Sequence, residues 1–215
     1  MKFEHTQVFN FEGALRGMRN PKKSWSKSNN RWEGDEYVIG ENDYDLAMRL
    51  IKAGSDHRKF LRQIKVSVDI ESAWYWFKEY ATYKVSTVEN STSSMHTILE
   101  DDLIEDAFEW DYMTPFRRIV LEHLNELKEE IKILEEKIAE GRKDLIPHRE
   151  AKWRELIQDI PGSFIYRRTC TLNYEVLRNM YQSRKNHKLR EWSEDFVEWV
   201  EGLPYCEFIT VKGRS

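Results

Sequence analysis

QIKVSVDIESAWYWFKEYATYKVSTVENSTSSM, residues 63–95, passes through three kinds of sequence without a break. Ile64, Val66, Val68 and Ile70 alternate with Lys65, Ser67 and Asp69, the period of a strand buried on one face. SAWYWFKEY follows at once and is long and aromatic enough for a buried helix. The run TYKVSTVENSTSSMH then has no periodicity and reads as a polar loop. A strand, a buried helix and a loop rich in hydroxyl groups therefore form the centre from which the rest of the chain is read.

Upstream, residues 1–12 alternate weakly, and a short helical signal after Gly13 ends at Asn20-Pro21, where the residue before proline leaves helical geometry. Residues 22–36, KKSWSKSNNRWEGDE, are polar and turn-rich and are expected to form a mobile loop. Asn42 is expected to cap a helix over YDLAMRLIKAG, with Leu46, Leu50 and Ile51 on one face and Gly54 at its stop. Downstream, Thr114-Pro115 is a helix start, and the helix should run to about Glu140 and Gly141. Val120, Leu124, Leu127, Ile131, Leu134 and Ile138 recur at alternating steps of four and three, a heptad seam. The seam is assigned to an antiparallel helical hairpin over residues 114–158, with HREAKWRELIQDI after Pro147 as partner, in preference to a free coiled-coil dimer. After Pro161-Gly162, FIYRRTCTL is extended and leads into the helices NYEVLRNMYQSRKN and KLREWSEDFVEWVEG. Gly202 and Pro204 end the second of these, and CEFITVK reads as a last strand. The expectation is a mostly helical single domain of α+β type over residues 1–215, with a small antiparallel or mixed sheet and a long helical hairpin.

With 215 residues, 33% of them charged, 40% hydrophobic and 13% aromatic, the chain can bury one sizeable core. No stretch approaches the roughly 20 apolar residues needed to span a bilayer, and the opening MKFEHTQVFNFEG lacks the basic end and apolar run of a signal peptide. A cytoplasmic protein without a membrane partner is expected. Cys170 and Cys206 belong to no CxxC pair and read as buried free thiols. The formal net charge of −4 argues against nucleic acid as a partner. Two local basic clusters, GMRNPKKSWSK at residues 17–27 and SRKNHKLR at 183–190, suit either a small nucleotide's phosphates or a solvated face.

The common phosphate-loop, dinucleotide, nucleophile-elbow, zinc-protease and kinase patterns are absent from the sequence. Its histidines, at 5, 57, 96, 123, 148 and 187, show no metal-ligand spacing, so no metal site is expected.

Residues 78–95, KEYATYKVSTVENSTSSM, line up without a gap on the signature RQxxRHRxxSxNExSxRY, so this chain resembles a diverged flavin-dependent thymidylate synthase. Lys78 and Glu79 stand at the Arg-Gln, Thr82, Tyr83 and Lys84 at the Arg-His-Arg, Glu89 and Asn90 at the Asn-Glu, Thr92 at the second Ser, and Ser94 and Met95 at the Arg-Tyr. Farther on, Pro161 and Asn173 keep the family's spacing between its Leu-Pro element and the Asn that opens the penultimate helix. Asn179 follows Asn173 by six residues and Arg184 by eleven. The chain departs from the pattern at Ser94, which removes a bidentate phosphate clamp, at Ile157, where another nucleotide-binding arginine is usual, and at Gln63, where a flavin-contacting histidine is usual.

The resemblance implies a pyrimidine nucleotide substrate (dUMP-like), FAD, and, for catalysis, NADPH and methylenetetrahydrofolate as hydride and methylene sources. It assigns the catalytic role to Arg184, which would meet negative charge developing on the pyrimidine carbonyl. Nucleotide binding falls to Lys78, Glu79, Thr92 and Arg184, and cofactor binding to Tyr83, Lys84, Asn90, Asn173 and Asn179. Trp74 and Trp76 read as core residues. The family builds its sites in a homotetramer, so a homo-oligomer is implied. Two other readings stand beside a flavin-dependent methyltransferase of nucleotide biosynthesis. One is a nucleotide-binding protein of the same fold without catalysis, the other a helical interaction module using the seam.

Overall fold

The computed structural model describes residues 1–100 and 103–212. Its elements are β1 (Lys2–Phe9), α1 (Phe11–Met18), β2 (Arg31–Glu33), β3 (Glu36–Val38), α2 (Glu41–Ala53), β4 (Lys65–Ala73), α3 (Trp74–Tyr80), β5 (Val88–Ser91), α4 (Ser94–Thr97), α5 (Pro115–Ala139), α6 (Ile146–Asp159), β6 (Ile165–Asn173), α7 (Tyr174–Arg184), a π-helical turn (Glu191–Phe196), α8 (Val197–Glu201) and α9 (Glu207–Thr210). Short 3-10 turns fill several connections. Among the described residues one sheet has four strands in the order β1-β4-β6-β5, and β2 and β3 form a second. The fold is α+β and mostly helical, as the sequence pattern implies. No helix among the described residues is long and apolar enough to cross a membrane.

Contacts group the chain into two compact units, each assembled from separate stretches. The first takes Met1 with residues 71–79 and 91–168. The second takes residues 2–70, 80–90 and 169–215.

In the first unit the helical hairpin dominates. Thr114 accepts a hydrogen bond from the Arg117 amide at 3.1 Å, and Pro115 occupies the first turn, so α5 starts where cap and proline place it. Leu124, Leu127 and Ile131 of the seam pack with Leu156 of α6 and with Ile98, Leu103, Phe108 and Phe164 in one apolar cluster. Each such side chain contributes roughly 1.5 to 3 kcal/mol on burial. Pro147 lies inside the first turn of α6 instead of ahead of it, where its missing N–H has no helical partner to lose.

In the second unit β4 keeps the expected alternation, with Val66, Val68 and Ile70 at 1% exposure or less. Helix α1 begins at Phe11, ahead of Gly13; a Cβ at Gly13 would meet the Asn10 side-chain oxygen at 2.2 Å, so a larger residue there would require that side chain to shift. Residues 22–36 are not irregular throughout: β2 and β3 pair antiparallel, Trp32 opposite Tyr37, across a turn where Gly34 takes a φ of 62°. Buried Arg19 ties the preceding turn down, its guanidinium donating to Asp43 at 2.8 Å and to the carbonyls of Ser24 and Lys27 at 3.3 Å.

Gly40, not Asn42, holds the cap position of α2, while the Asn42 side-chain Nδ2 donates to the Lys27 carbonyl at 3.1 Å. Its buried face is Asp43, Ala47 and Ile51, so Leu46 and Leu50 lie at the margin. The last segment, CEFITVK, holds helix α9 and not a strand; Phe208 and Ile209 are adjacent and both fully buried, so it lacks the one-sided alternation of a half-buried strand. Cys170 is buried, whereas Cys206 is half-buried.

Candidate functional site

In the first unit the run Ser91–Ser94 is fastened to β6. The Thr92 amide donates to the Arg167 carbonyl at 2.9 Å, and the Arg167 amide donates to the Thr92 hydroxyl at 3.3 Å. Strand alternation then puts Tyr166 and Arg168 on one face of β6, while Arg167 pairs with Glu71 at 2.9 Å. The start of α3 is held to the same segment, since the Trp74 and Tyr75 amides donate to the carbonyls of Phe164 and Gly162 at 3.1 and 3.0 Å.

These ties frame a cavity of about 580 Å³, walled by Trp74, Ser91, Thr92, Ser93, Ser94, Ile157, Ile160, Pro161, Gly162, Tyr166 and Arg168. Arg168 is 7% exposed. Its guanidinium lies 4.0 Å from the Phe77 ring centre and 5.4 Å from that of Trp74. Aromatic faces of this kind stabilise a cation that burial strips of water. Trp74 stands 5.8 Å from Tyr166 and is 47% exposed, so it is a cavity wall and not the core residue expected; Trp76 is fully buried. A neighbouring cavity of about 350 Å³ shares Thr92, Ser94 and Tyr166 and adds Glu71, Thr97, Asp106 and Arg167. A buried guanidinium, a row of hydroxyls and two aromatic rings suit a small ligand that is anionic at one end and planar at the other.

Of the residues expected to bind nucleotide, Thr92 lines this cavity. Lys78 is exposed and Glu79 half-buried on α3, and neither lines it. Sequence reasoning missed Arg168, Tyr166 and Ser93. The signal was present in FIYRRTCTL, where period-two alternation groups residues 166 and 168 beside buried Cys170 and Leu172.

In the second unit the structure brings Arg184 and Tyr83 together. The Arg184 Nε donates to the Tyr83 hydroxyl at 3.0 Å, and the guanidinium lies 5.6 Å from the Tyr83 ring and 5.2 Å from that of fully buried Trp192. Lys84, Asn90 and Asn179 are exposed. Asn173 is 1% exposed and caps α7, its Oδ1 accepting from the Val176 amide at 3.0 Å. That carbonyl is engaged in helix initiation and is not presented to a cofactor. Lys84, Asn90 and Asn179 present an ammonium and two side-chain amides to solvent, and none of them lines either cavity.

No family model and no curated protein matches this sequence. Among solved structures, the fold is similar to that of flavin-dependent thymidylate synthase ThyX from Helicobacter pylori complexed with FAD and dUMP. The TM-score is 0.71 at 14% sequence identity, over 98% of this chain and 97% of that chain. A second Helicobacter pylori ThyX structure with FAD and dUMP gives a TM-score of 0.68, also at 14% identity and over 98% and 97% of the two chains.

Proposed function

We propose that this chain binds a pyrimidine nucleotide of the dUMP type and FAD, using the fold it shares with structures that hold both ligands. The observation that carries the reading is Arg168, buried between Phe77 and Trp74 at the wall of a cavity bordered by the hydroxyl run Ser91–Ser94. The guanidinium and the Ser93 and Ser94 hydroxyls hold the phosphate, and Trp74 and Tyr166 pack against the base. This supplies a cation that the signature segment lost at Ser94 and that is also missing at Ile157. Lys84, Asn90 and Asn179 hold FAD, which when bound supplies hydride transfer.

In the catalytic form of this reading, Arg184 meets negative charge developing on the pyrimidine carbonyl, with Tyr83 and Trp192 fixing its guanidinium. NADPH and methylenetetrahydrofolate are then the hydride and methylene donors. The molecule works as a cytoplasmic homo-oligomer, and a tetramer is the form proposed.

Incubation with FAD, desalting and a visible spectrum test the cofactor, and melting with dUMP added tests the substrate. Retained flavin is expected, with a melting temperature that rises with dUMP, by about 2.7 kcal/mol of stability at a hundredfold excess over the dissociation constant. Absence of both effects removes the reading. If turnover is measured, Arg184→Ala should lose roughly 2 to 4 kcal/mol of transition-state stabilisation in kcat. An unchanged kcat would take Arg184 out of the chemistry.

A further inference from the structure

His123 on α5 and Asp159, the last residue of α6, meet through a hydrogen bond of 2.8 Å between Nε2 and Oδ2. Glu155 lies one turn before Asp159 on the same face of α6. One ligand atom from each of these three side chains lies within 4.8 Å of the others. The sequence conceals this convergence, because the histidine comes from a different helix than the two carboxylates and the hairpin alone brings them together.

The His123–Asp159 pair leaves the second carboxylate, Glu155, unused. The side chains of His123 and Asp159 are 42% and 43% exposed, and such a pair in water contributes about 0 to 1 kcal/mol. Both carboxylates stand in the last turns of α6, where unpaired carbonyls already carry negative partial charge and a cation is the favoured neighbour. Lys152 answers only part of this, because its Nζ is shared between Glu155 at 3.3 Å and Glu130 at 3.0 Å.

We propose that His123, Glu155 and Asp159 form a binding site for a divalent transition-metal cation of the zinc class. An imidazole with two carboxylates, and no thiolate, suits such an ion, whereas magnesium and calcium take oxygen ligands and make no use of the histidine. Ligand bonds of roughly 2.0 to 2.2 Å require the three atoms to draw closer, which exposed side chains achieve by rotation. Water completes the coordination from the open side. The ion replaces the direct hydrogen bond between His123 and Asp159 and pins the end of α6 to α5. This site stands independently of any nucleotide bound elsewhere.

Calorimetric titration of zinc chloride into the full chain, its His123→Ala variant and its Asp159→Asn variant tests the proposal, with circular dichroism confirming that each variant is folded. Both substituted side chains are exposed, so folding should be preserved; Glu155→Gln serves as a third variant. The wild type is expected to bind one equivalent at micromolar affinity with a rise in melting temperature, and each variant to weaken binding by roughly tenfold or more. Magnesium should give no heat. The proposal is overturned if the wild type does not bind zinc, if the folded variants bind it as tightly as wild type, or if magnesium binds equally well.

Discussion

Burial disfavours the charged form of a phenol, and Tyr181 on α7 shows the consequence. Burial, together with its hydroxyl's 2.6 Å hydrogen bond to the Glu201 carboxylate, pushes its pKa up to about 12. Burial also pushes Tyr174 well above the ordinary tyrosine range. Because the unfolded value is near 10, the stability these groups confer is fully present below about pH 10 and is lost as the pH rises through the folded values. Tyr181→Phe should therefore flatten part of the decline in melting temperature between pH 10 and 12, and at pH 7 cost about 1 to 3 kcal/mol in urea denaturation. An unchanged alkaline limb would show that Tyr181 ionises as it does in the unfolded chain. Single residues were the least legible scale in the sequence. Asn173 keeps a family spacing, yet the same spacing also places an acceptor at the start of α7, and only the bond to Val176 distinguishes the roles.

Elements were legible wherever one physical signal acted alone. The alternation in β4 and the seam in α5 both report burial on one face, and both elements formed there. Leu124 and Ile131 are fully buried, whereas Ile133, off the seam, is 40% exposed. Ile131→Ala should therefore destabilise the protein by about 2 to 5 kcal/mol, and Ile133→Ala by less than about 0.5 kcal/mol, in chemical denaturation. Equal effects would show that the hairpin packs in another register. The failures came where signals compete. In CEFITVK, high strand propensity pointed one way, and the contacts that bury Phe208 and Ile209 together decided the other way. In residues 22–36, turn residues mask a hairpin whose strands are too short to show alternation.

At the scale of the whole molecule, the fold class was readable because several elements agreed, and the cavity bordered by residues 91–94 was only partly readable because its cation comes from β6 and not from the signature segment. Tyr112, Phe116 and Ile119 are 67%, 72% and 62% exposed around the start of α5. Apolar side chains left in water at that spacing accord with the proposed assembly of several copies. Light scattering at micromolar concentration should give a mass above one chain, and Phe116→Glu should lower it. A monomeric wild type would contradict the proposed assembly.

In the proposed function the cavity bordered by residues 91–94 holds a pyrimidine nucleotide by its phosphate, with Arg168 as the clamp. Calorimetric titration of dUMP into the wild type and Arg168→Met, which keeps the packing between Phe77 and Trp74 and removes the charge, tests it most directly. Saturable binding by the wild type is expected, with a loss of about 1.5 to 3 kcal/mol in the variant, roughly tenfold or more in affinity. Equal affinity in the two proteins, or no binding by the wild type, would contradict it.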